Sequence, residues 1–110
     1  MRIAGAALMV GLTAALAGCS MTLPVRGLVD GGETMTGTAT GQVNGGGTLE
    51  ITTSKGATCS GNFVYVTRRQ GSGVFNCTDG RSGPFDFVST GTSGTGTGMF
   101  GSQRFTFTFG

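Results

Sequence analysis

The feature that most constrains the fold of this chain is a series of short alternating runs separated by glycine-containing turns. Apolar residues occupy every second position within the runs, most clearly at Phe105, Phe107 and Phe109, which have threonines between them. Such alternation places the apolar side chains on one face of a β-strand. After residue 18, no window of the sequence has the apolar spacing of a helix, so an all-β domain is predicted.

Seven strands are predicted from this pattern, covering residues 34–43, 48–53, 57–67, 74–78, 84–90, 95–100 and 104–109. Turns are predicted at Asn44-Gly45, Lys55-Gly56, Gln70-Gly71, Asp79-Gly80 and Gly101-Ser102, whose glycines suit tight antiparallel connections. The expected fold class is a small antiparallel meander of about six or seven short strands, as a sheet, roll or sandwich. The run from Gly91 to Gly98 is open to two interpretations, a strand or a flexible loop.

The first eighteen residues have the composition of an export signal. Arg2 supplies one positive charge, and the stretch from Ile3 to Ala17 is interrupted only by glycine and one threonine. A membrane-spanning helix needs about 20 apolar residues, and this stretch is shorter and ends in small residues. Residues 1–18 are therefore interpreted as a helical signal peptide that is cleaved from the mature protein.

The residues at the cleavage position, Leu16-Ala17-Gly18-Cys19, resemble the lipobox of bacterial lipoproteins. The resemblance implies cleavage between Gly18 and Cys19 and attachment of diacylglycerol and a further acyl chain, such as palmitate, at Cys19. This covalent lipid would anchor the protein to a membrane, and no other cofactor is expected. In Gram-negative members of the family, a serine in the position of Ser20 is typical of the outer membrane. The expected location is the periplasmic side of the outer membrane, with the inner membrane as the alternative.

Cleavage leaves 92 residues, which suffice for one small domain. Composition divides them into a lipidated N-terminus with a flexible tether over residues 19–33 and a Gly-, Thr- and Phe-rich β domain over residues 34–110. With Cys19 carrying lipid, Cys59 and Cys77 remain as a pair in a chain bound for an oxidising compartment. A disulfide between them is predicted, and two free thiols are the alternative.

Charge and residue types exclude several functions. The mature chain has six basic and five acidic residues, which gives no basis for a nucleic-acid partner. The sequence contains no histidine, so it lacks the usual general base and the commonest metal ligand, and no third thiol is free to complete a metal site. No catalytic residue, no metal site and no enzymatic activity are therefore predicted.

Two functional hypotheses follow from these residues. The first is a non-enzymatic, membrane-anchored envelope lipoprotein that serves as a structural module or binds another envelope protein. The second is a ligand-binding or hydrolytic domain in which Arg68, Arg69 and Arg81 bind a carboxylate or a lipid headgroup, and Asp79 and Asp86 act as paired acids.

The closing run from Phe105 to Phe109 resembles the terminal aromatic strand of outer-membrane barrels. A chain of 92 residues that includes a tether is not expected to supply eight strands of about 10 residues. The run is therefore interpreted as a core strand.

Overall fold

Polar and apolar side chains alternate along the strands of this protein, and the sheet they form closes on itself. A computed structural model describes residues 20–42 and 45–110. Within these ranges, eight antiparallel strands form a closed barrel in which each strand pairs with its sequence neighbours and the first also pairs with the last. The strands are β1 (Ser20–Val29), β2 (Glu33–Gln42), β3 (Gly46–Thr53), β4 (Thr58–Tyr65), β5 (Gln70–Cys77), β6 (Ser82–Ser89), β7 (Gly94–Phe100) and β8 (Gln103–Phe109).

The barrel confirms the predicted antiparallel all-β class and corrects its strand number and closure. The seven predicted strands correspond to β2 through β8, and the eighth is β1. The tether predicted over residues 19–33 does not form from Ser20 onward, because Val25 and Val29 on β1 are buried in the core. β1 pairs along its length with β2 and over Val25–Val29 with β8, so it joins the two edges that an open sheet would leave unpaired.

Several predictions concern residues that lie outside the described ranges. These are the signal peptide, its cleavage position, the lipidated Cys19, and Asn44 of one predicted turn. No helix among residues 20–42 and 45–110 is long and apolar enough to cross a membrane.

The turns follow the sequence prediction at four positions and depart from it at one. Gly45, Gly56, Gly80 and Gly101 have the positive φ angles that the predicted turns require. The turn predicted at Gln70-Gly71 is wrong, because the chain reverses at residues 66–69 and Gly71 lies within β5. A β-carbon at Gly71 would overlap the Phe87 ring, so this glycine makes room for a core side chain instead of reversing the chain.

All eight phenylalanines of the sequence are buried, and inward-facing glycines make room for them. The pattern is clearest between the last two strands, where Gly94 lies opposite Phe109, Gly96 opposite Phe107 and Gly98 opposite Phe105. A β-carbon at any of these glycines would overlap the opposite ring. The residues from Gly94 to Gly98 therefore form a strand, because the neighbouring rings fill the space that their missing side chains leave.

The outer wall of the barrel is mainly polar, with many threonines and with exposed charges at Arg26, Glu50, Asp86 and Arg104. Its apolar exceptions are aliphatic side chains such as Leu28, Val64, Val74 and Val88, which are 46–60% exposed. Membrane-spanning barrels have the opposite alternation, with an apolar outer band and a polar interior. The described residues supply eight strands, but only β1 and β2 reach 10 residues, and the run from Phe105 to Phe109 is a core strand, as predicted.

The predicted disulfide between Cys59 and Cys77 is confirmed. The two residues lie directly opposite each other on β4 and β5, with their Cα atoms 3.9 Å apart. The bond therefore fixes the register of two adjacent strands.

We expect the Cys59→Ala/Cys77→Ala variant to lose about 3 kcal/mol of its free energy of unfolding, because the bond restricts the unfolded chain. Denaturant unfolding of the variant and of the parent, each with and without reductant, measures this loss. The reductant should destabilise only the parent. Equal unfolding midpoints for the two oxidised proteins would show that the bond contributes nothing to stability.

Candidate functional site

The two ends of the barrel differ in the residues they present. Because the strands run alternately up and down, the β1–β2, β3–β4, β5–β6 and β7–β8 turns share one end, which we call the closed end. The other three turns, the first residue of β1 and the last of β8 share the opposite end, which we call the open end.

The closed end is covered by the side chain of Arg81. Its guanidinium donates two hydrogen bonds to the Glu33 carboxylate, from Nη1 to Oε1 at 2.8 Å and from Nη2 to Oε2 at 2.7 Å. Its Nε donates to Asp79 Oδ2 at 2.8 Å, and the guanidinium carbon lies 5.2 Å from the centre of the Phe100 ring. Paired hydrogen bonds of this kind are the strong form of an ion pair.

Glu33 is a buried carboxylate, only 3% exposed, and its ionisation depends on this arrangement. The hydrogen bonds from Arg81 lower the pKa of Glu33 to about 2, against the opposing effect of burial, and a hydrogen bond from Thr53 adds to the lowering. The hydrogen bond to Glu33 likewise raises the pKa of Arg81 above its ordinary value. Arg81 is therefore committed to partners within the protein, and its role here is to seal the closed end.

The open end contains an apolar cavity of about 100 Å³ inside the barrel. Tyr65 stands at its mouth, 37% exposed, with its ring 5.4 Å from that of Phe87 and 6.2 Å from that of Phe63. The remaining walls are mostly aliphatic and aromatic and include Met21, Leu23, Ala39, Leu49, Phe107 and Phe109.

A shallow depression lies beside this cavity on the same rim. It is lined by Arg68 and Arg69 of the β4–β5 turn, by Ser89 and Thr90 of the facing strand end and turn, and by Tyr65 and Gly91, which also line the cavity. The backbone places the two turns together, since the Ser89 amide donates to the Arg69 carbonyl at 2.6 Å. An apolar void and two exposed arginines therefore adjoin each other at the open end.

The structure does not gather the predicted binding residues into one site. Arg68 and Arg69 lie at the open end, whereas Arg81 and Asp79 lie at the closed end. Asp86 faces outward from the middle of β6, opposite Ser72 and Thr97. The two acids considered as a catalytic pair thus face different surroundings, one bonded to Arg81 and the other on the outer wall.

Sequence reasoning missed Glu33 and the residues of the cavity. Glu33 lies 48 positions from Arg81, so no local pattern connects them. Met21 and Leu23 belong to the segment interpreted as a tether, and Tyr65 was part of a strand with no assigned role. Tyr65 is nevertheless the single tyrosine in a chain without tryptophan, which was the one signal that distinguished it.

Asp86 lines a broad groove of about 900 Å³ on the outer wall, and Arg26 lines the same groove. Its other lining residues are glycines, threonines and a serine, together with Gln70, the exposed Leu28, Val66 and Val88, and two phenylalanines of the core. Among residues 20–42 and 45–110, no three histidine, cysteine, aspartate or glutamate side chains are placed to hold a metal ion.

Comparison with known proteins identifies the fold and no family. No protein-family model matches the chain, and no curated protein matches it. Among solved structures, the chain is similar to a redesigned beta barrel, mFAP1, bound to DFHBI. The TM-score is 0.66 and the sequence identity 15%, and the match covers 80% of this chain and 90% of that one. A likeness at this identity shows a common barrel architecture.

Proposed function

We propose that this protein is a non-enzymatic, lipid-anchored envelope protein whose barrel binds a small amphipathic anion at its open end. The observation that carries the proposal is the juxtaposition of the apolar cavity with Arg68 and Arg69, joined through Tyr65. An apolar wall with a few polar groups at its edge is the usual composition of a small-molecule site. Arginine is suited to a carboxylate or phosphate head because its guanidinium donates hydrogen bonds in pairs.

The size of the cavity limits the apolar part of the ligand. An engineered apolar cavity of about 150 Å³ holds benzene, so the smaller void of about 100 Å³ takes the end of an alkyl chain. The redesigned barrel of similar fold is bound to DFHBI, so this architecture accommodates a small molecule in that protein. We assign to the present chain a medium-chain carboxylate or a comparable acyl anion.

The anchor and its location rest on the lipobox resemblance. Acylation of Cys19 supplies a stable membrane attachment, since each buried methylene contributes about 0.8 kcal/mol. Mass spectrometry of the protein from membranes, compared with a Cys19→Ser variant, tests this part. Lipid mass on the parent alone supports the anchor, and an unmodified parent at precursor mass refutes it. Fractionation then distinguishes the outer membrane, favoured by Ser20, from the inner membrane.

We expect octanoate to bind saturably at the open end and to change the fluorescence of Tyr65. Because Tyr65 is the single tyrosine and tryptophan is absent, the intrinsic emission reports on the cavity mouth alone. The barrel, residues 20–110, is titrated with octanoate and separately with octanol. Octanoate tests the cavity and the two arginines together, whereas octanol, which has no charged head, tests the cavity alone. The Arg68→Gln/Arg69→Gln variant should bind octanoate about tenfold more weakly and octanol unchanged, since only the head contacts are lost.

A matched pair of substitutions on β2 tests the cavity itself. Ala39→Leu adds volume inside the cavity, whereas Thr38→Leu adds the same side chain at the neighbouring position on the outer wall. Ala39→Leu should abolish the fluorescence change with both ligands, and Thr38→Leu should leave it intact. No saturable change in the parent protein, or equal behaviour of the two variants, contradicts the proposed function.

A further inference from the structure

The charges of the barrel are distributed unequally between its ends. At the closed end three acidic residues balance three basic ones: Asp30, Glu33 and Asp79 against Lys55, Arg81 and Arg104. The described turns at the open end carry Arg68 and Arg69 and no acidic residue. The side chains of both arginines are exposed at this rim. The open end is therefore the positive end of the molecule.

Apolar side chains are exposed at the same rim. Val66 is 69% exposed and adjoins the two arginines in the β4–β5 turn, and Met21 near the start of β1 is 52% exposed. Tyr65 presents an aromatic ring with a hydroxyl at the mouth of the cavity. Basic, apolar and tyrosine side chains together are typical of protein surfaces that bind at the headgroup region of a bilayer.

The chain also enters the barrel at this rim without any spacer. Ser20 is already part of β1, where it pairs with Gln42 at the open end. Ser20 directly follows Cys19 in the sequence, and adjacent Cα atoms are about 3.8 Å apart. A lipid on Cys19 would therefore hold the open end at the membrane surface, and this step rests on the anchor in the proposed function.

We propose that the open end is a membrane-docking surface for anionic lipid. Arg68 and Arg69 contact lipid phosphates, while Met21, Tyr65 and Val66 enter the interface between headgroups and acyl chains. Each arginine near an anionic surface favours docking by about fivefold. The cavity mouth faces the bilayer in this orientation, so the ligand reaches the cavity directly from the membrane.

The emission of Tyr65 tests this orientation in the full lipidated protein. The protein is purified from membranes and reconstituted into vesicles of phosphatidylglycerol or phosphatidylcholine, each with and without a lipid that carries a nitroxide on its headgroup. We expect strong nitroxide quenching of Tyr65 and protection from aqueous iodide in phosphatidylglycerol, with weaker effects in phosphatidylcholine. Unquenched, iodide-accessible Tyr65 in both vesicle types would overturn the proposal.

Two double variants, each of which removes two positive charges, distinguish the contribution of the open end to docking from that of the remaining surface. Arg68→Gln/Arg69→Gln should lower the ratio of docked to undocked protein on phosphatidylglycerol about 25-fold, the product of two fivefold effects. Arg26→Gln/Arg104→Gln removes the same charge from the outer wall and the closed end and should leave quenching unchanged. Equal loss in both variants would mean that net charge, and not the open end, governs docking.

Two further measurements show which proposal fails if quenching is absent. Flotation of the protein with vesicles reports the anchor, since an unlipidated chain does not float with phosphatidylcholine. Octanoate titration of the vesicle-free barrel reports the ligand site. A protein that floats and binds octanoate but shows an iodide-accessible Tyr65 refutes docking alone.

Discussion

The Gly37→Ala variant should lose about 4 kcal/mol of its free energy of unfolding or fail to fold. Gly37 lies on β2 opposite Ile51, and a β-carbon there would overlap the Glu50 carbonyl oxygen and lie 2.8 Å from the Glu50 carbonyl carbon. These are backbone atoms of β3, so no side-chain rotation relieves the overlap. The two strands would have to separate, which costs ladder hydrogen bonds in a closed sheet.

Gly41 on the same strand is the matched control. A β-carbon at Gly41 meets no atom within 4 Å, and neither glycine has a positive φ angle. Gly41→Ala should therefore change the free energy of unfolding by less than about 1 kcal/mol, with a slight gain from the stiffer unfolded chain. Denaturant unfolding of the two variants measures the difference. Near-equal stabilities would mean that the strands adjust freely and that Gly37 does not set their separation.

The Arg81→Met variant should lose about 4 kcal/mol at neutral pH, because it leaves the Glu33 carboxylate buried without its partner. The substitution keeps an apolar side chain over Phe100 and removes only the charge and its hydrogen bonds. Arg104→Met, which removes an exposed arginine at the same end, should be neutral within about 0.5 kcal/mol. Glu33→Gln combined with Arg81→Met should restore much of the loss, since no charge then remains buried.

The pH dependence of the free energy of unfolding tests whether the unpaired Glu33 carboxylate causes the loss in Arg81→Met. In the parent protein the pKa of Glu33 falls from 4.5 to about 2 on folding. Its stabilising contribution is therefore complete above about pH 4.5 and is lost as the pH falls from there through about 2. In Arg81→Met, burial without a partner raises the pKa of Glu33, so acidification should increase the variant's stability relative to the parent. Parallel stability curves for the two proteins from pH 2 to 7 would contradict this assignment.

Local pattern was enough to predict most strands and the disulfide. Alternation in runs such as Phe105–Phe109 depends only on neighbouring residues, and Cys59 and Cys77 are the two cysteines that remain once the lipobox resemblance assigns Cys19 to lipid. β1 was missed because Pro24 and Gly27 obscure its alternation. Pro24 is tolerated because its carbonyl accepts from the Gly110 amide at 3.0 Å, so its missing N–H faces the side where β8 ends.

Neither the closure of the barrel nor the candidate site could be predicted from local sequence patterns, and the reason is the same for both. β1 pairs with β8, which lies about eighty positions later in the chain, and Glu33 meets Arg81 across 48 positions. Contacts at such separations leave no periodic signal in one sequence. Arg68 and Arg69 were identified as candidates from their turn, but their position beside the cavity depends on how β4 through β7 curve around the core.

Because β1 pairs with β8, the chain could begin at a different turn of the barrel while every strand keeps its neighbours. Gly110 is hydrogen-bonded to Pro24, so a linker of about five residues would span the remaining length of β1 back to Ser20. A circular permutant that opens the exposed turn at Gly31-Gly32 would begin and end at the closed end. If the proposed acylated cysteine were placed at that new start, the same barrel would be attached upside down, with its mouth pointing away from the bilayer.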